Sequence, residues 1–312
     1  MTIAPVYVGI DVSKDTLDIF AADMGSATIP NTLEAAQALV ARLAQAPHFV
    51  ILEATGCYDG RLRRALEEAN VQYARINPER ARDFARAIGL KAKTDRIDAR
   101  MLALFGERLQ PPQREPSNSE REAVARLHRR RDQLVAMRAQ EKNRCSEADD
   151  EQMRARIQRH IAWLDEEIDA LAAQTAAAIA ACEDMRNCER LLRSMPGVGP
   201  VVAAALIALL PELGAAQPRK VAALAGLAPF AVDSGRFRGL RVVRGGRKEV
   251  RDKLYMASIS AARTRGDLGE FFRRLRAKGK PAKVALIALA RRMLTILNAI
   301  IRDRVPYLPK AA

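Results

Sequence analysis

A stretch without glycine or proline, residues 119–186, most constrains the fold of this chain. Glycine and proline are the residues that most often end helices, so this stretch predicts long helices rather than a compact mixed domain. In its second half, after the first step, apolar residues recur at alternating steps of three and four, the period of a coiled-coil seam. The seam consists of Met153, Ile157, Ile161, Leu164, Ile168, Leu171, Thr175, Ala178, Cys182 and Met185.

The first half of the stretch carries a weaker apolar pattern, at Val124, Leu127, Leu134 and Met137. Residues 146–150 lie between the two halves and predict a reversal of the chain. We therefore expect two long antiparallel helices, packed either as a coiled coil or as core-facing helices of a bundle. Both packings favour self-association, as a dimer or tetramer.

The residues before this stretch alternate between short apolar runs typical of strands and amphipathic stretches typical of helices. The predicted strands are Val6–Ile10, Leu17–Ala21, Phe49–Leu52 and Val71–Ile76, and the predicted helices run from a cap at Asn31 to about Leu43, over Gly60–Ala69 and from Pro78 onward. The short link between the first two strands implies an antiparallel hairpin. This block therefore predicts an α/β domain with a mixed sheet, which ends near Pro111 and Pro112.

After the predicted helices, Pro-Gly-Val-Gly-Pro at residues 196–200 separates two helical stretches and looks like a helix-hairpin-helix. Glycines such as Gly197 and Gly199 allow the backbone to approach a ligand closely, and a helix N-terminus offers free N–H groups. That arrangement suits DNA phosphates without reading the base sequence. The alternative is a tight connection with only a structural role. Further helices follow as far as Arg302.

The charge of the chain narrows the class of partner. The net charge is +15, and 41 of the 52 basic residues are arginine. Arginine binds phosphate oxygens bidentately, so the composition favours DNA or RNA as a partner. A genome that favours arginine codons would raise the arginine count, but it would not explain the net charge. Neither a signal peptide nor a membrane span is evident, and no Cys/His spacing indicates zinc, so a cytoplasmic location is expected.

Four carboxylates have the placement of a shared site. Asp11 follows the first predicted strand and Glu53 follows another, and groups at the carboxyl ends of parallel strands converge. Asp95 and Asp98 are three residues apart on a helix that Thr94 is suited to cap, so they share a helical face. Any one of these acids alone is more often a cap or a solvated charge. Together they repel one another, and Mg²⁺, which prefers oxygen ligands, relieves that repulsion and supports phosphoryl transfer.

Several segments resemble one known family. They are YVGIDVSKDTLDIF, ILEATGCY, ARINPERARDFARAIGLKAKTDRIDARMLA, LLRSMPGVGPVVAAALIALL and GLAPFAVDSGRFRG. In this order they closely resemble the insertion sequence 110 family of DEDD transposases. The resemblance implies a RuvC-like (RNase H-type) α/β domain over residues 1–110, a coiled-coil region over 111–187 and a mostly helical transposase domain over 188–312. It also implies that Asp11, Glu53, Asp95 and Asp98 fill the family's four acidic positions.

The serine in Asp233-Ser234-Gly235 gains its interest from the same resemblance. By itself this tripeptide is most often a turn, and no histidine lies nearby to act as a base. The resemblance implies that Ser234 is a nucleophile for DNA strand exchange. Its hydroxyl then needs activation, in a site attributed to both domains. The basic residues that follow are then expected to bind phosphates. The alternative is a solvated arginine-rich hairpin. The residues are Arg236, Arg238, Arg241, Arg244, Arg247 and Lys248.

The sequence thus predicts a transposase or recombinase that cuts and joins donor and target DNA. The resemblance further implies a non-coding bridge RNA that pairs with both DNAs, which agrees with a chain that offers little base readout of its own. Two other functions stay open. A RuvC-like nuclease of the Holliday-junction resolvase type needs the acids but no serine, and an architectural DNA-binding protein needs neither.

Overall fold

The computed structural model describes residues 5–53, 58–89, 95–114, 118–230, 233–234, 237–238, 242–243 and 245–309. At residues 95–97, 230, 233–234, 237–238 and 242 it describes the backbone alone. The chain divides into two compact units, residues 1–117 and 118–312, near the prolines that mark the end of the predicted α/β block. Each unit has its own buried core.

A five-stranded mixed sheet forms the centre of the first unit. Its strands are β1 (Val6–Val12), β2 (Thr16–Ala21), β3 (Gly25–Pro30), β4 (His48–Glu53) and β5 (Gln72–Ile76). The spatial order is β3-β2-β1-β4-β5, with β2 antiparallel to both neighbours and β4 parallel to β1 and β5. The expected hairpin and the mixed α/β sheet are confirmed, and the arrangement fits a DEDD nuclease-like domain.

Helices cover both faces of this sheet. They are α1 (Leu33–Leu43), α2 (Gly60–Glu68), α3 (Pro78–Ala87) and α4 (Asp95–Leu109). Side chains such as Val8 and Leu52 pack with residues of α1 and α2 on one face. The other face presents side chains such as Phe49 and Ile51 to α3 and α4. Successive strand residues alternate between the two faces, so the apolar residues of the central strands fill both cores.

Three details of the first unit differ from expectation. Strand β3 was not predicted, because Gly25–Pro30 is largely exposed and weak in strand formers; pairing with β2 holds it in the sheet. Asp11 lies within β1 rather than after it. Thr32, not Asn31, caps α1 through its side chain. Asn31 is 4% exposed and has other hydrogen-bond partners, described below. The proposed Thr94 cap of α4 lies outside the described residues.

The second unit opens with two long helices, α5 (Ser119–Glu147) and α6 (Glu151–Ala181). Their antiparallel course is shown by the ion pair between Arg138 and Asp165 and by the cluster of Leu134 with Leu164 and Ile168. The predicted reversal falls within the expected residues, and the helical hairpin is confirmed. The outer end of the seam stays exposed in the single chain: Met153 is 51% exposed.

The remaining helices of the second unit are α7 (Glu183–Arg193), α8 (Pro200–Leu209), α9 (Pro218–Leu224), α10 (Lys248–Ala262), α11 (Asp267–Ala277) and α12 (Ala282–Asp303). Helix α8 is apolar on every side, as expected for a buried helix, and packs against α5, α6, α7 and α10. Among the described helices, α12 is long and apolar enough to cross a membrane by length and composition. Arg291 and Arg292 interrupt it, and half of its apolar window is buried within the protein.

Candidate active site

Strand β1 and helix α4 are in direct backbone contact at Gly9. A Cβ atom on Gly9 would lie 1.9 Å from the carbonyl oxygen of Ala99 and 2.5 Å from the amide nitrogen of Ala103. Further along the helix, a Cβ on Gly106 would lie 2.5 Å from the ring of Tyr7. Helix α4 therefore runs antiparallel to β1, and its first turn lies at the carboxyl end of that strand.

Asp11 and Glu53 are neighbours at this end of the sheet. In the parallel ladder Ile10 pairs with Leu52, so the two acids follow at adjacent positions on adjacent strands. Strand alternation puts Asp11 on the same face as Gly9, which α4 covers. It puts Glu53 on the face of Ile51, which belongs to the same core. Both acids are partly buried.

The first turn of α4 contributes the two remaining acids. Asp95 is the first residue of the helix and lies one turn before Ala99, on the stripe that crosses β1. Asp98 is partly buried and lies one turn before Leu102, on the stripe that packs on β4 and β5. The backbone thus brings the positions of all four acids to one edge of the sheet. Among the side chains that the structure describes, which exclude Asp95, no three His, Cys, Asp or Glu residues are grouped as metal ligands.

A fifth carboxylate, absent from the sequence prediction, lies beside this group. Asp18 on β2 is the cross-strand partner of Asp11, so the two share a face of the sheet. It is 7% exposed, and the hydroxyl of Thr28 on β3 donates a 2.5 Å hydrogen bond to its Oδ1. The pairing of the two strands would have revealed it: counting back across the predicted hairpin places residue 18 opposite residue 11.

The segments after Asp11 and Glu53 are tied together by Asn31. Its side-chain amide donates to the carbonyl oxygens of Ser13, at 2.8 Å, and Tyr58, at 3.1 Å. Arg61 donates to the backbone carbonyl of Asn31 at 2.7 Å. A buried amide with two backbone acceptors fixes both segments relative to the sheet.

An ion pair holds the start of α2 against β5. Asp59 is 1% exposed and accepts a 2.5 Å hydrogen bond from Nε of Arg75. Burial lowers the pKa of the Arg75 guanidinium, and the Asp59 carboxylate offsets part of that effect. On the same strand, burial and a hydrogen bond to Glu67 raise the pKa of Tyr73 to about 12. These groups are occupied with one another, so they stabilise the scaffold of the first unit.

Ser234 lies in one of two short two-stranded sheets of the second unit. One sheet pairs β6 (Pro229–Phe230) with β9 (Val242–Val243) and the other pairs β7 (Asp233–Ser234) with β8 (Phe237–Arg238); the two pairs together are called the ribbon below. Because Ser234 pairs with Phe237, only two residues separate the inner strands. Ser234 is therefore at the tip of the ribbon. The structure describes the backbone of Ser234 and Arg238, whereas Arg236, Arg241 and Arg244 lie outside the described residues.

The base of this ribbon is closely packed. Gly246 has a φ of +65°, and a Cβ there would lie 2.3 Å from the amide nitrogen of Gly226. The backbone amide of Arg247 donates to the carbonyl of Leu224 at 2.7 Å, and Arg251 donates to the carbonyl of Gly245 at the same distance. These contacts attach both ends of the ribbon to the helical core.

Arg247 has a structural partner that the sequence did not suggest. Its guanidinium donates to both carboxylate oxygens of Glu212, at 2.5 and 2.6 Å, and to the carbonyl of Leu209 at 3.1 Å. Burial alone would raise the pKa of Glu212, but the hydrogen bonds and charge of Arg247 lower it overall. A phosphate contact by Arg247 would compete with this fork. Lys248 differs, because its side chain is 76% exposed and pairs only with Asp252, on the same helix, among the contacts described.

The two glycines between α7 and α8 differ in environment. Gly197 has a φ of +89°, and a Cβ there would lie 2.5 Å from the carbonyl oxygen of Ala257 on α10. Its close approach is therefore to the protein's own backbone. A Cβ on Gly199 would meet no atom within 4 Å, and this glycine precedes the first turn of α8. It is the glycine whose surroundings leave room for a ligand.

Exposed arginines lie beside this connection. Arg186, Arg190 and Arg193 recur at steps of four and three on α7 and line a shallow concave surface with Glu189 and Ser194. Part of this charge is compensated, because Arg193 pairs with Glu189 at 3.3 Å. The sequence prediction missed this surface, although the spacing on α7 was its signal.

Comparison with known families agrees with this architecture. A DEDD transposase model of the IS110 group matches residues 8–150. This range includes all four acids and, apart from the first two residues of β1, the whole five-stranded sheet. A second model, described as a transposase of the IS116/IS110/IS902 family, matches residues 189–273, which include Ser234. The chain belongs to the IS110 family of transposases.

Relatives within and near the IS110 family cover different shares of the chain. The pilin gene-inverting protein of Moraxella bovis is 27% identical over 314 residues, which cover 96% of this chain and 97% of that protein. The IS116 44.8 kDa protein of Streptomyces clavuligerus is 35% identical over 122 residues, 38% of this chain and 30% of that protein. The IS900 42 kDa protein of Mycobacterium paratuberculosis is 32% identical over 158 residues, 50% of this chain and 39% of that protein.

Proposed function

We propose that this IS110-family protein cuts and rejoins DNA strands through Asp11, Glu53, Asp95 and Asp98, with Ser234 as the nucleophile. One observation carries the carboxylate part of the proposal. The parallel ladder puts Asp11 and Glu53 side by side, and the backbone contact at Gly9 fixes the first turn of α4 at the same edge. The meeting of these three elements at one edge of the sheet supports a shared carboxylate site of the kind that phosphoryl transfer uses.

The four acids suit a hard divalent cation, because carboxylate oxygens are ligands that Mg²⁺ prefers. Mg²⁺ would stabilise the charge that develops on the phosphate and activate an attacking or leaving oxygen. Asp11 and Glu53 would hold it from the sheet, and the acids of α4 from the helix. Rotation of these side chains toward a shared cation is part of this proposal.

Ser234 is proposed as the attacking group in strand exchange. Its hydroxyl oxygen bonds to a DNA phosphorus, the bond from that phosphorus to one strand oxygen breaks, and the released oxygen takes up the serine proton and becomes a strand hydroxyl. A second strand hydroxyl then displaces Ser234 and restores a phosphodiester. Its place at the closed end of the β7–β8 pair supports this role, because the ladder holds its backbone and loop ends often carry functional residues.

Several groups of the second unit are proposed to bind nucleic acid phosphates: Gly199, Lys248, Arg236, Arg238, Arg241 and Arg244, together with the arginines of α7. Gly197 and Arg247 belonged to the sequence prediction, but their contacts favour structural roles. We further propose that a bridge RNA supplies pairing with donor and target DNA in the cytoplasm, and that α5 and α6 form a coiled coil in a dimer or tetramer. The exposed end of their seam supports association. The three-domain division, at residues 110 and 187, stays part of the proposal.

Recombination of two defined DNAs tests the proposal. Purified protein, RNA transcribed from the flanks of the native gene and Mg²⁺ are mixed with donor and target DNA, in integration and inversion layouts. The inversion layout is included because the Moraxella bovis relative is named as gene-inverting. Asp98→Asn and Ser234→Ala should each eliminate recombinant product. Asp83→Asn and Ser260→Ala, which alter exposed residues, are the matched controls.

The outcomes separate the proposed transposase from its alternatives. A resolvase-type nuclease predicts that cutting survives in Ser234→Ala, whereas a covalent serine intermediate predicts a protein-linked strand in the wild type and none in this variant. An architectural protein predicts no metal-dependent cutting at all. Recombination without RNA would contradict the guided part of the proposal. Recombinant product at the wild-type rate in Asp98→Asn would remove that residue from the site.

A further inference from the structure

The carboxylate row of the first unit extends beyond the four family positions. Across the sheet, Thr28 on β3 pairs with Asp18 on β2, and Asp18 pairs with Asp11 on β1. Glu53 on β4 follows at the next position of the parallel ladder. Cross-strand partners share a face, and α4 covers this face, since Arg100 of α4 lies over the ring of Phe20, two residues after Asp18. Three consecutive strands thus carry an acid in one transverse row.

The burial of Asp18 calls for an explanation. At 7% exposure it has little access to water, and like charges directly opposite each other on antiparallel strands are destabilising. The hydroxyl of Thr28 donates one hydrogen bond to Oδ1 and holds the side chain in place. Thr28, the hydrogen-bond donor to Asp18 among the described contacts, is neutral and leaves the charge of Asp18 in place. A cation at Asp11 would be attracted by that fixed charge on the neighbouring strand.

We propose that Asp18 is a positioning residue of the metal site: it does not touch the DNA, but its fixed negative charge beside Asp11 increases the affinity of the site for a divalent cation. This inference rests on the proposed function, because it assumes a cation at Asp11. Thr28 orients Asp18 as an outer partner. Loss of a nearby negative charge weakens cation binding, because the Coulomb attraction between the charge and the cation is lost.

Direct measurement of Mg²⁺ binding to the full chain, by calorimetry and by metal-dependent thermal shift, tests this role without reference to activity. Asp18→Asn keeps the shape and the acceptor for Thr28 but removes the charge, and should weaken Mg²⁺ binding by about 10- to 100-fold. Its metal-free melting temperature should equal or exceed that of the wild type, because a like charge is gone. Asp83→Asn, which removes an exposed carboxylate from α3, should change neither quantity.

Thr28→Val supplies the opposite signature. It leaves the charge of Asp18 in place but removes its hydrogen bond, so metal-free stability should fall while Mg²⁺ affinity changes less than in Asp18→Asn. Equal weakening of Mg²⁺ binding in the two variants would overturn the charge-based role. So would wild-type Mg²⁺ affinity in Asp18→Asn, or a loss of folding in that variant. Absence of Mg²⁺ binding in the wild type would overturn the proposed metal site itself, and the role of Asp18 with it.

Discussion

Gly9→Ala tests most directly whether the contact between β1 and α4 supports the proposed catalysis. The added Cβ would lie 1.9 Å from the carbonyl oxygen of Ala99 and 2.5 Å from the amide nitrogen of Ala103. Both neighbours are backbone atoms of α4, so no side chain can rotate away. Ordinary contact needs about 3.5 Å, and the helix must therefore move from the strand by roughly 1.5 Å.

This movement has separate consequences for stability and activity. Overpacking of this kind typically costs about 1–3 kcal/mol of folding free energy. Because α4 carries Asp95 and Asp98 in its first turn, their displacement also moves them from Asp11. A misplacement of about 1 Å can lower a catalytic rate by about 100-fold. We therefore expect a modest loss of stability and a loss of recombination of about 100-fold.

The assay pairs thermal unfolding with recombination at a temperature where every variant is folded. Gly106→Ala is the comparator for stability: it also adds a methyl group under α4, but it meets side chains of Tyr7 and Ile51, far from the first turn. Gly60→Ala meets no atom within 4 Å and controls for the substitution itself. Wild-type recombination in a folded Gly9→Ala protein would refute the view that the strand–helix contact sets the position of the acids.

Two further predictions concern the second unit. Gly199→Val should weaken DNA binding at every salt concentration with little change in melting temperature. Gly197→Ala should mainly lower the melting temperature, because its Cβ meets the backbone of α10. Unchanged DNA affinity of Gly199→Val in titrations at several salt concentrations would exclude this glycine from the interface. Glu212→Gln should lower stability at pH 7 by about 1 kcal/mol, given that the Arg247 pair is partly exposed. Since the folded-state pKa of Glu212 is lowered, its contribution is present above the ordinary glutamate pKa of about 4.3 and is lost as the pH falls through the folded value. Melting temperatures of wild type and Glu212→Gln should therefore converge in acid, and a constant difference down to pH 3 would contradict the role of this ion pair.

Local patterns were sufficient to predict much of the architecture. Short apolar runs at Val6–Ile10 and Phe49–Leu52 identified two buried strands, because a strand covered on both faces is apolar on both. The absence of glycine and proline over residues 119–186 identified the helical hairpin, because nothing in that stretch favours ending a helix before the reversal. The four acids were predicted from their places at the ends of these elements.

Partners distant in the chain decided the remaining features. Nothing in Gly25–Pro30 favours a strand by itself, and its place in the sheet comes from pairing with β2. Asparagine often caps helices, but the buried side-chain amide of Asn31 instead donates to two backbone carbonyls, one of them 27 residues away. The fork of Arg247 looked like a phosphate ligand in sequence, yet Glu212, 35 residues earlier, holds it.

The glycines show the same division between sequence and tertiary structure. Any glycine, Gly9 included, lets the backbone come close to another group because it lacks a Cβ, but the sequence pointed only to Gly197 and Gly199. The sequence does not say which group a glycine will meet. Packing decided that Gly9 meets α4, that Gly197 meets α10 and that Gly199 stays open. The residue type determined that a close approach is possible, and the long-range arrangement of helices determined which of those approaches is left for a ligand.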